Sequence, residues 1–141
     1  MGILITIIHL LSNSAGQFFH TNLTQIPNTK STALGKRNQM ELTPEQLKDY
    51  DGTDQSKPIY VAIRSQIYDV TSGKSFYGPG GDYCVFAGKD ASRALAKMSK
   101  DEIDVVSDIY GLTEKELAVL ADWEKKFKAK YPIVGKVVSG E

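Results

Sequence analysis

The sequence predicts an α+β domain, in which a small mixed sheet and several short helices form a ligand cleft. Apolar residues alternate along residues 59–63, as expected of a strand, and a second strand follows a short polar gap. Helix-capping patterns occur at residues 42–47 and again at residues 112–117. The strands and helices do not alternate as in a βαβ repeat, so the pattern disfavours a doubly wound parallel sheet.

The first predicted helix begins within residues 42–47. Thr43 is a suitable N-cap, Pro44 suits the first helical position, and Gln46 completes a capping box. The pair Asp51-Gly52 ends this helix, which is therefore short.

A β-hairpin is predicted next, with strands at residues 59–63 and 66–70 joined by a turn at Arg64-Ser65. The turn lacks the usual glycine, so the sequence leaves its type open. Residues 71–82 contain four glycines and one proline, and we expect them to form a loop.

Helical character resumes near Tyr83, and an apolar face is predicted from Phe86, Ala87, Ala91, Ala94, Leu95 and Met98. Residues 99–112 are acidic and weakly patterned. A longer helix is expected from the second capping pattern to about Lys130, with one apolar stripe at Leu117, Leu120, Trp123 and Phe127. Residues 133–138 predict a final strand.

The first 39 residues differ in composition from the rest. Residues 3–11 form an apolar run about half as long as the roughly 20 residues of a membrane-spanning helix. We interpret residues 1–39 as a leader that is disordered or non-native, with targeting or loose membrane association as alternatives, and residues 40–141 as the domain. Met40 is a candidate natural start.

The net charge of zero, from 17 basic and 17 acidic residues, conceals an uneven distribution. The first 39 residues carry Lys30, Lys36 and Arg37 and no acid, so the remaining 102 residues carry an excess of three acids. This charge balance provides no basic surface patch of the kind that binds nucleic acid, and we expect no nucleic-acid partner. The single cysteine, Cys84, excludes an internal disulfide framework.

No hydrolase or transferase motif is present: the chain has no GxSxG, HExxH or P-loop pattern. Both histidines, His9 and His20, lie in the predicted leader, so the domain lacks the commonest general base and metal ligand. We therefore expect a binding protein rather than an enzyme.

Tyrosine is the residue type that stands out. Tyr77 and Tyr83 flank the glycine-rich segment, and Lys130-Tyr131 ends the last helix. Each tyrosine alone is readily explained as core. Together they also permit a flat aromatic ligand, and a phenol is a known axial ligand of haem iron.

Two longer segments resemble a known family: Phe76-Tyr77-Gly78-Pro79-Gly80-Gly81-Asp82-Tyr83 and Val85-Phe86-Ala87-Gly88-Lys89-Asp90-Ala91-Ser92-Arg93-Ala94-Leu95. Shorter blocks support them in the same order, at residues 42–47, 60–63, 68–71, 122–124, 127, 130–131 and 134–135. Over residues 41–138 the chain resembles the membrane-associated progesterone receptor family, a branch of the cytochrome b5-like haem/steroid-binding fold, and especially its short plant steroid-binding members.

The resemblance implies a role for five residues in binding haem b. Tyr83 matches the axial tyrosinate of the iron, and Tyr77 matches a second pocket tyrosine. Lys130 and Tyr131 match a pair that contacts the haem edge and propionates, and Asp90 matches an acidic position important for ligand binding. Cytochrome b5 itself uses two histidines, which composition excludes from this domain.

A phenolate ligand favours ferric over ferrous iron, so we expect a steroid- and haem-binding module rather than an electron shuttle. The resemblance further implies that the protein supports partner proteins such as cytochromes P450 or receptors. It also implies a homodimer formed by stacking of two haems. The implied location is the cytosol, the nucleus or the periphery of the endoplasmic reticulum, without a full transmembrane helix. The alternatives are a haem-independent sterol-binding or scaffold domain and an electron-transfer component of cytochrome b5 type. A thiolate of Cys84, beside Tyr83, is a disfavoured alternative ligand, because adjacent side chains at a helix start point in different directions.

Overall fold

The computed structural model describes residues 39–140. Apart from residue 39, the predicted leader lies outside the described residues, and its assignment stays a prediction.

Four strands form one mixed sheet in the order β1-β4-β3-β2. The strands are β1 (Met40–Leu42), β2 (Tyr60–Ile63), β3 (Gln66–Asp69) and β4 (Ile133–Val137). β1 runs parallel to β4, whereas the β2–β3 and β3–β4 pairs are antiparallel. The predicted α+β class and the predicted hairpin are both confirmed.

Within residues 39–140, four α-helices accompany the sheet: α1 (Pro44–Leu47), α2 (Lys74–Tyr77), α3 (Ser92–Lys97) and α4 (Glu114–Lys130). Short 3₁₀ turns lie at Lys48–Tyr50, Thr71–Gly73, Cys84–Phe86 and Glu102–Asp104. Both predicted capping boxes form, because Thr43 and Thr113 each accept a hydrogen bond from the third helical residue, whose side chain accepts one in return.

Three elements differ from the prediction. Residues 71–82 are not all loop, since a 3₁₀ turn and α2 occupy Thr71–Tyr77. The helical segment after Tyr83 is interrupted, because Ala62 of β2 forms a parallel bridge with Asp90. Strand β1 was not predicted, because three residues are too few to show alternation and its pairing with β4 is long-range.

The sheet divides the core into two clusters. Val61 and Ile63 of β2 belong to a large cluster that contains α4, whereas Tyr60 and Ala62 belong to a smaller cluster beside α1. This follows from the alternation of side chains along a strand. Strand β2 is buried throughout, so both of its faces are covered.

The hairpin turn has an uncommon backbone for its sequence. Arg64 and Ser65 both have positive φ, +48° and +66°, which is the type I′ conformation that asparagine and glycine usually occupy. A neighbouring segment holds the turn: the Ser65 N–H donates to Asp90 Oδ2 at 2.9 Å, and the Arg64 N–H donates to Ser92 Oγ at 2.7 Å. These tertiary hydrogen bonds stabilise the positive φ angles, which Arg64 and Ser65 do not favour by themselves.

Substitution Gly135→Ala should destabilise the domain. Gly135 pairs with Met40 in the parallel β1–β4 ladder, and a Cβ there would overlap the Met40 carbonyl oxygen. We expect the free energy of unfolding in urea to fall by about 1–3 kcal/mol. Gly140→Ala is the matched control, because its Cβ would meet no atom closer than 3.8 Å. Equal stability of the two variants would contradict the close β1–β4 approach.

Candidate functional site

The glycine-rich segment turns back on α2 and so places two tyrosines side by side. The Tyr83 N–H donates to the carbonyl of Phe76 at 2.9 Å. A side chain at Gly81 would overlap that same carbonyl, so the close return of the chain requires glycine. As a result, the ring centroids of Tyr77 and Tyr83 lie 6.3 Å apart.

The end of α4 supplies the third tyrosine. The Tyr131 ring lies 6.3 Å from the Tyr77 ring, edge to face, and Phe127 lies 6.2 Å from Tyr77. Gly73 leaves space for Tyr131, because a Cβ at that position would come within 2.7 Å of the Tyr131 hydroxyl. The structure therefore brings Tyr77, Tyr83 and Tyr131 into one buried group, which we call the tyrosine cluster.

The hydroxyl of Tyr83 is buried and makes no hydrogen bond within residues 39–140. The Tyr83 residue is 1% exposed, and the Phe86 ring stacks on its ring at 5.9 Å. The ammonium of Lys100 lies 5.6 Å from the Tyr83 ring centroid. Leaving a buried hydroxyl without a partner costs about 1–3 kcal/mol, so this arrangement is unfavourable for stability alone.

Burial raises the pKa of all three phenols above the ordinary tyrosine value. It raises the pKa of Tyr77 well above its usual value of 10.0, with smaller contributions from Tyr131 and Tyr83. Burial likewise raises the pKa of Tyr131 to about 12. The pKa of Tyr83 is raised by burial first and then by the negative charge of Asp82.

Two of the other predicted site residues lie in different surroundings. The Lys130 ammonium is 5.9 Å from the Tyr131 ring centroid, at the edge of the tyrosine cluster. Asp90 is not placed with the cluster: its carboxylate accepts hydrogen bonds from the backbone N–H groups of Ser65 and Ser92 and so holds the hairpin turn. Its predicted role in ligand binding stays a prediction.

Cys84 is exposed, whereas the adjacent Tyr83 is buried. The two side chains therefore lie in different environments, which separates the thiol from the tyrosine cluster.

Sequence reasoning missed three contributors to the site. Gly73 makes room for Tyr131, Phe86 covers Tyr83, and Lys100 reaches the Tyr83 ring from the loop after α3. Gly73 and Phe86 both lay in segments that the sequence singled out as glycine-rich or apolar. No local sequence signal identifies Lys100, because it lies 17 residues after Tyr83 and the two residues meet only in the folded chain.

Within residues 39–140, no three histidine, cysteine, aspartate or glutamate side chains are grouped as a metal site would require. The polar atoms of the tyrosine cluster are phenolic oxygens, a donor type known for haem iron. None of the helices described is sufficiently long and apolar to span a membrane.

Comparison with known proteins gives consistent matches. Residues 43–138 match the model of the cytochrome b5-like heme/steroid binding domain. The chain is 69% identical to the Arabidopsis thaliana protein named probable steroid-binding protein 3, over 71% of this chain and all of that protein. It is 38% identical to human membrane-associated progesterone receptor component 2, over 77% of this chain and 49% of that protein, so it spans about half of that relative.

A solved Arabidopsis thaliana structure, described as a hypothetical protein with a cytochrome b5 like fold, is also similar. Its TM-score is 0.68 at 64% identity, with 76% of this chain and 98% of that chain covered. The predicted fold family and the resemblance to short plant steroid-binding members are confirmed.

Substitution Tyr83→Phe should leave the domain as stable as before or stabilise it by up to about 2 kcal/mol, because it removes a buried hydroxyl without a partner. Tyr68→Phe is the matched control, since Tyr68 is a fully buried residue whose hydroxyl donates to Gln66 Oε1 at 3.3 Å. We expect the control to lose about 0.5–1.5 kcal/mol in urea unfolding. A larger loss for Tyr83→Phe than for Tyr68→Phe would contradict the unpaired state of the Tyr83 hydroxyl.

The free energy of unfolding should fall as the pH rises from 10 to 12. In this window a tyrosine of the unfolded chain ionises near 10.0, while Tyr131 in the fold stays neutral up to about 12. The stabilisation is fully present below pH 10. In Tyr131→Phe the decline should be flatter by up to about 1.4 kcal/mol per pH unit, measured by urea unfolding at each pH.

Tyr110→Phe serves as the control for this pH series, because Tyr110 is 87% exposed and outside the tyrosine cluster. Parallel slopes for Tyr131→Phe and the wild type would show that Tyr131 is not protected from ionisation.

Proposed function

The chain belongs to the family of cytochrome b5-like haem/steroid-binding domains, and from this premise we propose that it is a haem- and steroid-binding module whose iron ligand is Tyr83. The buried Tyr83 hydroxyl without a hydrogen-bond partner is the observation that carries the proposal. A group that weakens the fold unless something binds it is a candidate ligand donor.

The residues of the tyrosine cluster fit haem b chemically. Tyr83 would hold the iron, Tyr77 would line the pocket beside it, and Tyr131 with Lys130 would contact the haem edge. A lysine suits a propionate because an ammonium pairs with a carboxylate. When bound, the haem supplies a ferric iron that an anionic phenolate stabilises over the ferrous form.

Binding must expose the Tyr83 hydroxyl and remove its proton. The ring is 1% exposed, and the pKa of the phenol is raised by burial, so ionisation of Tyr83 would require the positive charge of a bound iron. Because a proton would be released, the affinity for haem should increase with pH below the phenol pKa.

The steroid part of the proposal rests on the names of the relatives, which are a steroid-binding protein and a progesterone receptor component. We further propose that the protein binds its ligands without catalysing a reaction and that it regulates partner proteins such as cytochromes P450. We also propose that it forms a homodimer by haem stacking and acts at endomembranes. Preference for ferric iron disfavours the electron-transfer alternative.

Hemin titration followed by visible absorption tests the ligand. Tyr83→Phe should lower the affinity at least about tenfold, which corresponds to 1.4 kcal/mol, and should change the spectrum of any residual complex. Cys84→Ser should behave as wild type, because the thiol is exposed and apart from the cluster. Identical spectra and affinities for wild type and Tyr83→Phe would exclude Tyr83 as the ligand.

A haem-independent sterol-binding domain is the second candidate. It is favoured by the closed state of the tyrosine cluster, where Tyr77 is 2% and Tyr83 1% exposed. Sterol affinity that is the same with and without hemin would support this candidate over the first.

A further inference from the structure

Lys100 lies over the ring of the tyrosine that is proposed to bind iron. Its ammonium is 5.6 Å from the Tyr83 ring centroid, within the distance of a cation–π contact. Lys100 itself is exposed, whereas Tyr83 is 1% exposed. An exposed lysine lays its apolar stem on a hydrophobic surface and keeps its charge in water. The Lys100 side chain therefore forms an outer layer between the Tyr83 ring and the solvent.

The other rings that contact Tyr83 are tied into the core. Tyr77 and Phe86 are 2% and 1% exposed. Phe76 is half-buried in α2, and its carbonyl accepts the hydrogen bond from the Tyr83 N–H. Moving any of these three rings would disrupt close packing, whereas an exposed side chain changes rotamer within picoseconds to nanoseconds. Lys100 is therefore the contact of Tyr83 that can be withdrawn at the lowest cost.

The backbone on both sides of Lys100 is held by hydrogen bonds. Helix α3 is capped by Met98, which has a φ of +52°, and the Ser99 N–H donates to the Ala94 carbonyl at 2.8 Å. The Asp101 N–H donates to Ser99 Oγ at 3.1 Å. Within residues 39–140, Lys100 takes part in none of the ion pairs found. Rotation of the side chain alone therefore withdraws the ammonium from the ring, and no salt bridge opposes it.

We propose that Lys100 is a gate for Tyr83: its side chain covers the ring in the ligand-free domain and rotates away before iron reaches the phenolic oxygen. This role rests on the proposed binding of iron by Tyr83. Because the uncovered ring is a fraction of the population, the gate lowers the apparent affinity and association rate by that fraction. An exposed cation–π contact corresponds to a factor of about two to five. Lys100 thus controls access to the ligand and does not itself bind the iron.

Hydroxyl-radical footprinting of the ligand-free full chain measures the cover without haem. Lys100→Ala should raise the oxidation rate of Tyr83 at least about twofold. Mass spectrometry gives this rate relative to that of Tyr110, which is 87% exposed. Lys57→Ala is the matched control, because the Lys57 ammonium lies at the same distance of 5.6 Å from another ring, that of Tyr50. An unchanged oxidation rate of Tyr83 in Lys100→Ala would overturn the gate.

Stopped-flow mixing with hemin measures the effect on binding. Lys100→Ala should raise the association rate constant about twofold to fivefold and leave the dissociation rate constant unchanged, because the gate acts in the ligand-free state. Lys100→Arg should associate as wild type does, since a guanidinium also packs over an aromatic ring. Lys57→Ala should not accelerate association, which controls for the loss of one positive charge. Faster dissociation from Lys100→Ala without faster association would show that Lys100 holds the bound ligand and would overturn the gate.

Tyr83→Phe separates failure of the gate from failure of the proposed iron ligand. If Tyr83→Phe binds hemin as wild type does, Tyr83 is not the ligand and the gate has no iron site to control. If Tyr83→Phe loses hemin affinity while Lys100→Ala changes neither Tyr83 oxidation nor hemin association, the ligand stands and the gate is overturned.

Discussion

The ring of Tyr77 lies where three segments of the chain meet. It contacts Tyr83 from the glycine-rich segment, Phe127 and Tyr131 from the end of α4, and it packs beside Gly73. Edge-to-face aromatic contacts of this kind are directional, so they fix ring orientation as well as burying area. The orientations of Tyr83, Phe127 and Tyr131 are therefore coupled through the Tyr77 ring.

The same packing leaves one polar atom without a partner. Burial disfavours ionisation of Tyr83, and no neighbouring donor or acceptor satisfies its hydroxyl within residues 39–140. Natural domains rarely retain such an atom, because it costs stability. In the proposed haem complex, a bond from the Tyr83 oxygen to iron would remove this cost, so ligand binding would be coupled to stability.

The sheet separates two chemical environments. One face supports a closed aromatic cluster with phenolic oxygens, and the other packs against a smaller apolar cluster beside α1. Asp90 lies outside the tyrosine cluster, where its carboxylate fixes the Arg64-Ser65 turn.

Local elements could be predicted because capping boxes at Thr43 and Thr113 and period-two alternation at residues 59–63 depend only on neighbouring residues. The family resemblance, together with the absence of histidine from residues 40–141, also predicted tyrosine as the iron donor. Other features arise from contacts between distant parts of the chain. β1 pairs with β4 across nearly the whole domain, Lys100 lies over the Tyr83 ring, and the Asp90 carboxylate binds the hairpin turn. Long-range contacts of this kind leave no periodic trace in the sequence.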